Sequence, residues 1–369
     1  MSLRISIPVQ TEPNISKSKN ILKFNNLIDS NLGNSNLYSR LKMFNLNKNN
    51  LRSNQSIIST NYTPLLQMPN IRSIRNISIN NSVILNNGGY SNIYQLNNKM
   101  ILKIIKKSTN NLTEFKAVLL NFYLQKIRSE DVKYICRIEE CGLNGRLLYC
   151  IMENGGKDLI KLREILMPNT PNTTNTKNTK NTINKPTLLL LLNIFLECSK
   201  ALNFIHKCGY VHLDVKPDNF LINFREDGSF QIKIIDFGNF HKIGDNIKEA
   251  KGTPAYMNKL ILSNFEKNYT PIYDIYSLGL TFINIYFAII HDLPINLLIK
   301  DRCLRLFYKM TSPNIKGNSK NTMNSKFDFL INEIKKLENS ANILSQLRYS
   351  SLDEVIDELD SIIRQLNSL

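Results

Sequence analysis

The spacing of apolar residues changes part-way along this chain, and that change limits the folds open to it. Between Ser82 and Met152, short runs rich in Val, Ile, Leu and Tyr (SVILNN, SNIYQL, KMILKII, RLLYCIM) have the character of half-buried strands. One stretch among them, LTEFKAVLLNFYLQKI at 112–127, has helical spacing. From Thr187 onward the spacing is mainly helical: TLLLLLNIFLECSKALNFIHKCG, DIYSLGLTFINIYFAII, NLLIKDRCLRLFYKM and SLDEVIDELDSIIRQL. This pattern predicts an α+β protein in which a small, β-rich lobe with one helix precedes a larger, mainly helical lobe. A cleft between two such lobes is a natural place for a ligand.

Three polar segments interrupt the pattern. Residues 1–80 mix Asn, Ser and Lys with isolated apolar residues, relieved only by two short amphipathic candidates, ILKFNNLI (21–28) and LYSRLKMFNL (37–46). This segment holds net charge +8 of the chain's +17, and its basic residues are scattered. It is expected to be a largely disordered arm that is either an inert solvated tail or docks a protein partner, with nucleic acid less favoured. Asparagine makes up about one residue in seven, as an A/T-rich coding sequence would give, so part of the basicity reflects composition. The tract PNTPNTTNTKNTKNTINKP (168–186) reads as a loop insert, and SPNIKGNSKNTMNSK (312–326) as a connection between helices. The longest apolar candidate, Ile275 to Ile290, is shorter than the roughly 20 residues a membrane span needs, so no integral membrane segment is expected. The opening MSLRISIPVQ lacks a signal-peptide pattern, and the six cysteines show no C-x-x-C spacing. Reduced thiols in a cytoplasmic or nuclear protein are the expectation.

Chemistry gathers in three places. In NNGGYSNIY (86–94), glycines between two strand candidates let backbone N–H groups approach an anion, although paired glycines are also ordinary turn formers. In KMILKII, Lys103 lies among apolar neighbours and needs an anion or a counter-charge, for which Glu114 in the following helix is a candidate. In HLDVKPDN (212–219), Asp214 could orient a hydroxyl and accept its proton, Lys216 could neutralise charge on a transferred group, and Asn219 could offer an amide oxygen to a divalent metal. Asp236, at the end of the buried-looking run IKIIDFG (232–238), supplies a second metal ligand.

In their order and spacing these motifs resemble those of the eukaryotic-type protein kinase family, over residues 81–366. The resemblance matches the glycine-rich loop to NNGGYS, the V-A-I-K strand to MILK (100–103), the catalytic loop to HLDVKPDN and D-F-G to Asp236-Phe237-Gly238. It also takes in GTPAYM (252–257) and DIYSLG (274–279). It implies a bilobal fold, with an N-lobe at about 81–152 and a C-lobe at about 157–366, that uses ATP with Mg2+, or Mn2+ as an alternative ion. The implied nucleotide site comprises Leu85, Asn86, Asn87, Gly88, Gly89, Tyr90, Ser91, Ile93, Lys103 paired with Glu114, the gatekeeper Met152, and the hinge residues Glu153 and Gly155. Asn219 and Asp236 would hold metal, and Asp214, Lys216 and Thr253 would be catalytic. Lys216 and Thr253 follow the pattern of serine/threonine kinases, so Ser and Thr hydroxyls of proteins are the implied acceptors.

Four departures from that pattern carry information. Asn86 and Ser91 replace the first and third glycines of the nucleotide loop. The A-P-E motif becomes Asn258-Lys259-Leu260, so Arg348 loses a glutamate partner and Leu260 would anchor the segment by burial. Leu213 stands where the family has an arginine that receives an activation-loop phosphate. The segment NFHKIGDNIKEAK (239–251) holds no Ser, Thr or Tyr, so phosphate acceptor and phosphate receptor are absent together. The reading is a protein kinase without phosphorylation control in that segment; the alternative is a pseudokinase or scaffold, with small-molecule phosphorylation a more distant third.

Overall fold

Five antiparallel strands build the first layer of the structure, a computed structural model that describes residues 83–87, 91–105, 117–118, 120–122, 124–125, 132–144, 147–166, 185–247, 251–258, 268–290, 297–311 and 349–369. They are β1 (Val83–Asn87), β2 (Ser91–Gln95), β3 (Met100–Ile105), β4 (Ile138–Asn144) and β5 (Leu147–Glu153), in the order β1-β2-β3-β5-β4. Strand β3 is central because its apolar residues serve both faces; Leu102 on one face is fully buried, and Lys103 points to the other. Residues 117, 118, 120–122, 124 and 125 are helical and bury Val118, Leu120 and Leu124.

After β5 the chain enters the helical lobe, where short strands supply the functional loops. Strand β6 (Lys157–Asp158) pairs with β8 (Phe220–Phe224), which pairs with β9 (Phe230–Ile234), while β7 (Tyr210–Val211) pairs with β10 (His241–Lys242). The α-helices are α1 (Leu162–Leu166), α2 (Lys185–Lys207), α3 (Pro271–Ile290), α4 (Leu297–Thr311) and α5 (Leu352–Ser368). An aromatic nucleus joins three of them: Phe195 of α2 stacks on Phe282 of α3 at 4.2 Å, and Phe307 of α4 meets both rings at 6.1 and 6.4 Å. Helix α5 closes this lobe with its apolar stripe of Leu352, Val355, Leu359, Ile362 and Leu366, and Arg302 of α4 bonds to Glu358, Ser361 and Gln365 along it.

The α+β, bilobal class expected from the apolar spacing is the one observed. Several boundaries differ. The helix expected from Thr187 starts at Lys185, so Lys185 and Pro186 belong to α2 and not to the loop insert; a proline fits there because the first helical turn needs no N–H from it. Strand β4 has no counterpart in the expectations, since IEECGLN lacks alternating apolar residues; it lies at the sheet edge, where one side needs no cover. The run IKIIDFG is strand only as far as Ile234, and α5 continues to Ser368, beyond the expected domain end at 366. The apolar run ending at Ile290 starts at Pro271, giving a 20-residue helix. Helices α2 and α3 are thus long and apolar enough to cross a membrane, and most of each is buried within the fold. All six cysteines are buried, and none is in a disulfide; burial raises the Cys136 and Cys303 thiols to about 12. The arm and its two amphipathic candidates, residues 168–184 of the insert, and the 312–326 connection lie outside the described residues.

The aromatic nucleus is the fold's most exacting contact. Phe282→Ala should lower unfolding free energy by about 3–5 kcal/mol in urea titrations, since it removes a fully buried, stacked ring.

Candidate active site

The site begins where α2 ends. The chain forms β7 and then makes a turn that a single carboxylate holds from behind. Asp274, in the first turn of α3 and fully buried, accepts the His212 N–H at Oδ2 (2.7 Å) and the Leu213 N–H at Oδ1 (2.8 Å). Its Oδ2 also lies 2.9 Å from Nε2 of His206, on the last turn of α2. Two hydrogen bonds to one charged group fix consecutive peptides, so Leu213 is held at φ 64°, in the left-handed region that a bulky side chain rarely adopts. Such a conformation costs about 1–3 kcal/mol, and each charge-assisted bond returns a similar amount. The His212 Nε2–H donates to the Ile235 carbonyl (2.9 Å), which leaves Nδ1 to accept the Asp214 N–H (3.3 Å). The loop is therefore tied both to α3 and to the residue preceding Asp236.

Asp214 is buried, and its carboxylate oxygens are fully used. Oδ1 accepts Thr253 N–H (2.8 Å) and Thr253 Oγ1–H (2.7 Å); Oδ2 accepts Lys216 Nζ (2.8 Å) and Asn219 Nδ2 (3.1 Å). Lys216 Nζ also donates to Thr253 Oγ1 at 2.8 Å, so the threonine hydroxyl accepts a hydrogen bond from lysine and donates one to aspartate. Burial by itself would raise the Asp214 pKa, but the hydrogen bonds from Lys216 and Thr253, with the charge of Lys216, outweigh it and hold the group below the ordinary aspartate value. Asp214 is thus an ionised acceptor at neutral pH. Thr253 reaches it because Gly252 crosses the catalytic loop at φ 117°; a Cβ there would stand 2.1 Å from the Leu213 carbonyl oxygen.

Asn219 and Asp236 come to the same end of the β8–β9 ladder, where the Ile235 N–H donates to the Asn219 carbonyl (3.0 Å). The Asn219 Nδ2 is committed to the Asp214 carbonyl (2.7 Å) and to Oδ2, which leaves the amide Oδ1 as the acceptor. Asp236 is exposed and lies at φ 66°, and the next residue, the buried Phe237, packs against His212 and Phe240. One amide oxygen and one carboxylate suit an ion such as Mg2+, which takes few protein ligands and keeps phosphate oxygens and water. Among the described residues no cluster of three or more His, Cys, Asp or Glu offers a closed metal cage.

On the sheet, register settles which side chains share a face. Ile93 lies opposite Lys103, Lys103 opposite Cys150, and Ile101 opposite Met152, so these residues line the Lys103 face together. Ile101 was not among the expected site residues, although it stands two positions before Lys103. Ser91 and Asn92 face Ile105 and Ile104, and Asn86 faces Ile93 across a register shift that leaves Leu85 exposed. In the connection after β5, the Glu153 N–H donates to the Arg137 carbonyl (2.8 Å), and Gly155 is buried against Cys136 and Leu221, where a Cβ would come within 2.7 and 2.6 Å of them. The Gly155 N–H is turned towards the Cys136 sulphur. Gly88, Gly89, Tyr90, Glu114, Leu260 and Arg348 lie outside the described residues. Among those described, the segment after Gly252 is anchored by Tyr256, whose carbonyl accepts from Ser277 Oγ (2.7 Å) and whose hydroxyl accepts from Asn284 Nδ2 (2.9 Å).

A five-stranded lobe with a lysine on its inner face, a helical lobe with a buried carboxylate–lysine–threonine network, and an Asn/Asp pair beside it define the class of bilobal phosphotransferases. Comparison with known proteins is specific: the protein kinase domain profile matches residues 80–348. The chain belongs to the protein kinase family. It is 25% identical over 267 residues (71% of this chain, 21% of the relative) to the probable serine/threonine-protein kinase MARK-A of Dictyostelium discoideum. It is 41% identical over 70 residues (18% and 3%) to the citron Rho-interacting kinase of Mus musculus, and 39% identical over 82 residues (22% and 15%) to calcium-dependent protein kinase 13 of Arabidopsis thaliana. The chain therefore spans between 3% and 21% of the lengths of these relatives.

Asp274→Ala removes the acceptor for two buried N–H groups, at about 1–3 kcal/mol for each donor left unmade. Thermal or urea unfolding should report that loss, together with faster amide exchange at Leu213.

Proposed function

We propose that this chain is an active protein kinase, transferring the γ-phosphate of ATP to Ser and Thr hydroxyls of proteins, with an activation segment that needs no phosphate. The observation that carries the reading is the Asp214 network: an ionised carboxylate, a lysine shared with Thr253, and an asparagine whose oxygen is left for metal. An acceptor hydroxyl binds Asp214 in place of the rotatable Thr253 Oγ1–H, and its proton passes to the carboxylate as the phosphoryl group transfers. Lys216, bonded to Asp214 Oδ2 and Thr253 Oγ1, offsets negative charge on the transferred group, while Lys103 holds the remaining phosphates. When bound, a divalent ion at Asn219 and Asp236 neutralises phosphate charge. The names of the relatives, serine/threonine-protein kinases among them, support Ser and Thr as acceptors.

Apolar contacts replace a phosphate–arginine pair in this reading. Leu213 is 5% exposed, in a cluster with Val211, Met257, Tyr269 and Tyr273, and Ile247 of the activation segment packs onto it. Backbone bonds from Gly244 N–H to the Tyr269 carbonyl (2.8 Å) and from Tyr269 N–H to the Asp245 carbonyl (2.9 Å) fasten the same segment. A cytoplasmic or nuclear site of action, with residues 1–80 as a partner-docking arm, completes the proposal.

The test is phosphate incorporation from labelled ATP into a generic basic protein, followed by phosphoamino-acid analysis. Phosphoserine and phosphothreonine are expected, with Asp214→Asn losing on the order of 10²–10⁴ in kcat; label that persists undiminished in that variant, or none with the native chain, contradicts the reading. Because the Asp214 pKa is lowered, its ionised form survives acidification past the ordinary aspartate value. Rate–pH profiles should therefore show no acidic limb from this group between pH about 5 and 8. Its contribution to stability, likewise, is present above the unfolded pKa and is lost only as pH falls through the lowered one.

A further inference from the structure

Among the described residues, Lys233 is a lysine buried to 3% exposure, and its ammonium group finds three acceptors. Nζ lies 3.0 Å from the Ile135 carbonyl, 3.2 Å from the Lys133 carbonyl and 3.0 Å from Oε2 of Glu153. These acceptors belong to two segments remote from β9 in sequence. Residues 132–137 run beneath the N-lobe helix, whose Asn121 donates to the Cys136 carbonyl (3.3 Å), and Ile135 bridges Ile234 beside Lys233. Glu153 opens the connection between the lobes, and its Oε2 also accepts the Arg137 N–H at 3.2 Å. Lys233 itself stands three residues before Asp236 on the strand that delivers it.

An apolar side chain of the same length could fill this space. It could not hold a carboxylate. What the ammonium adds is a fixed distance between the Glu153 end of the connection and the strand leading to Asp236. We infer that Lys233 is a positioning residue that holds the adenine-binding connection in one frame with the metal-binding strand, and so sets nucleotide affinity without taking part in phosphoryl transfer. This rests on the nucleotide reading of the site given above.

The experiment uses the full chain and three variants: Lys233→Met, Glu153→Ala and the double substitution. Lys233→Met should raise KM for ATP and Kd for ADP about tenfold, with kcat changed less than about twofold, because the loss is one of base positioning. Inorganic tripolyphosphate, which lacks the base, should bind the variant as it binds the native chain. Glu153→Ala should raise the same constants several-fold, and the double variant should be no weaker than Lys233→Met, since both changes remove one link. Amide exchange at Glu153 and Asn154 should quicken in Lys233→Met. A folded Lys233→Met with native KM, Kd and exchange overturns the inference, as does a fall in kcat at constant KM. If Lys233→Met does not fold, a folded Glu153→Ala with native KM overturns it instead. Failure of the native chain to bind ADP overturns the kinase reading, and exchange at Glu153 then decides the positioning role by itself.

Discussion

The Asp274 carboxylate is the constraint on which the loop around Asp214 depends. It is fully buried in the first turn of α3, yet its two oxygens reach the backbone of a loop about sixty residues earlier in the chain. That contact does more than join elements. It pins the left-handed Leu213, and a bulky residue in that conformation turns the chain so that Asp214, the next residue, faces Thr253 and Lys216. The aromatic nucleus of Phe195, Phe282 and Phe307 fixes α3 against α2 and α4, so the carboxylate has a firm platform. Core burial and the geometry of the Asp214 network are thereby parts of one mechanical chain.

Leu213 shows how a substitution changes what a buried position requires, from a counter-charge to apolar contact. An arginine here would be a buried cation in search of an anion, and a phosphate on the activation segment would supply it. Leucine asks only for apolar neighbours, and Val211, Met257, Tyr269, Tyr273 and Ile247 provide them. Because Met257 and Ile247 flank Gly252 and Thr253, the same cluster that satisfies Leu213 also locates the segment that bonds to Asp214. Residues 239–251 hold no Ser, Thr or Tyr hydroxyl that could carry a phosphate.

Much of this was legible in the sequence because the informative residues are local. The change of apolar spacing gave the two lobes, and the spacing within HLDVKPDN and DFG marked Asp214, Lys216, Asn219 and Asp236. Strand β4 was missed because an edge strand carrying Glu139, Glu140 and Gly142 has no two-residue alternation to detect. Lys233 was missed for a different reason: its partners are carbonyls of Lys133 and Ile135, and backbone acceptors leave no mark in a sequence. The Leu213 cluster joins residues from four separate segments, so the leucine could be recognised as a departure without its surroundings being foreseen. Asp274, too, could be matched to a motif, but its two backbone partners emerged only from the fold.

The most direct test of phosphate-independent ordering is the single-turnover rate of chain freed of phosphate, followed from the first moments after ATP is added. Ordering by the Leu213 cluster predicts a full initial rate without a lag, unchanged within about twofold by prior incubation with ATP. A lag abolished by that incubation, with phosphate found on Thr253, would contradict it.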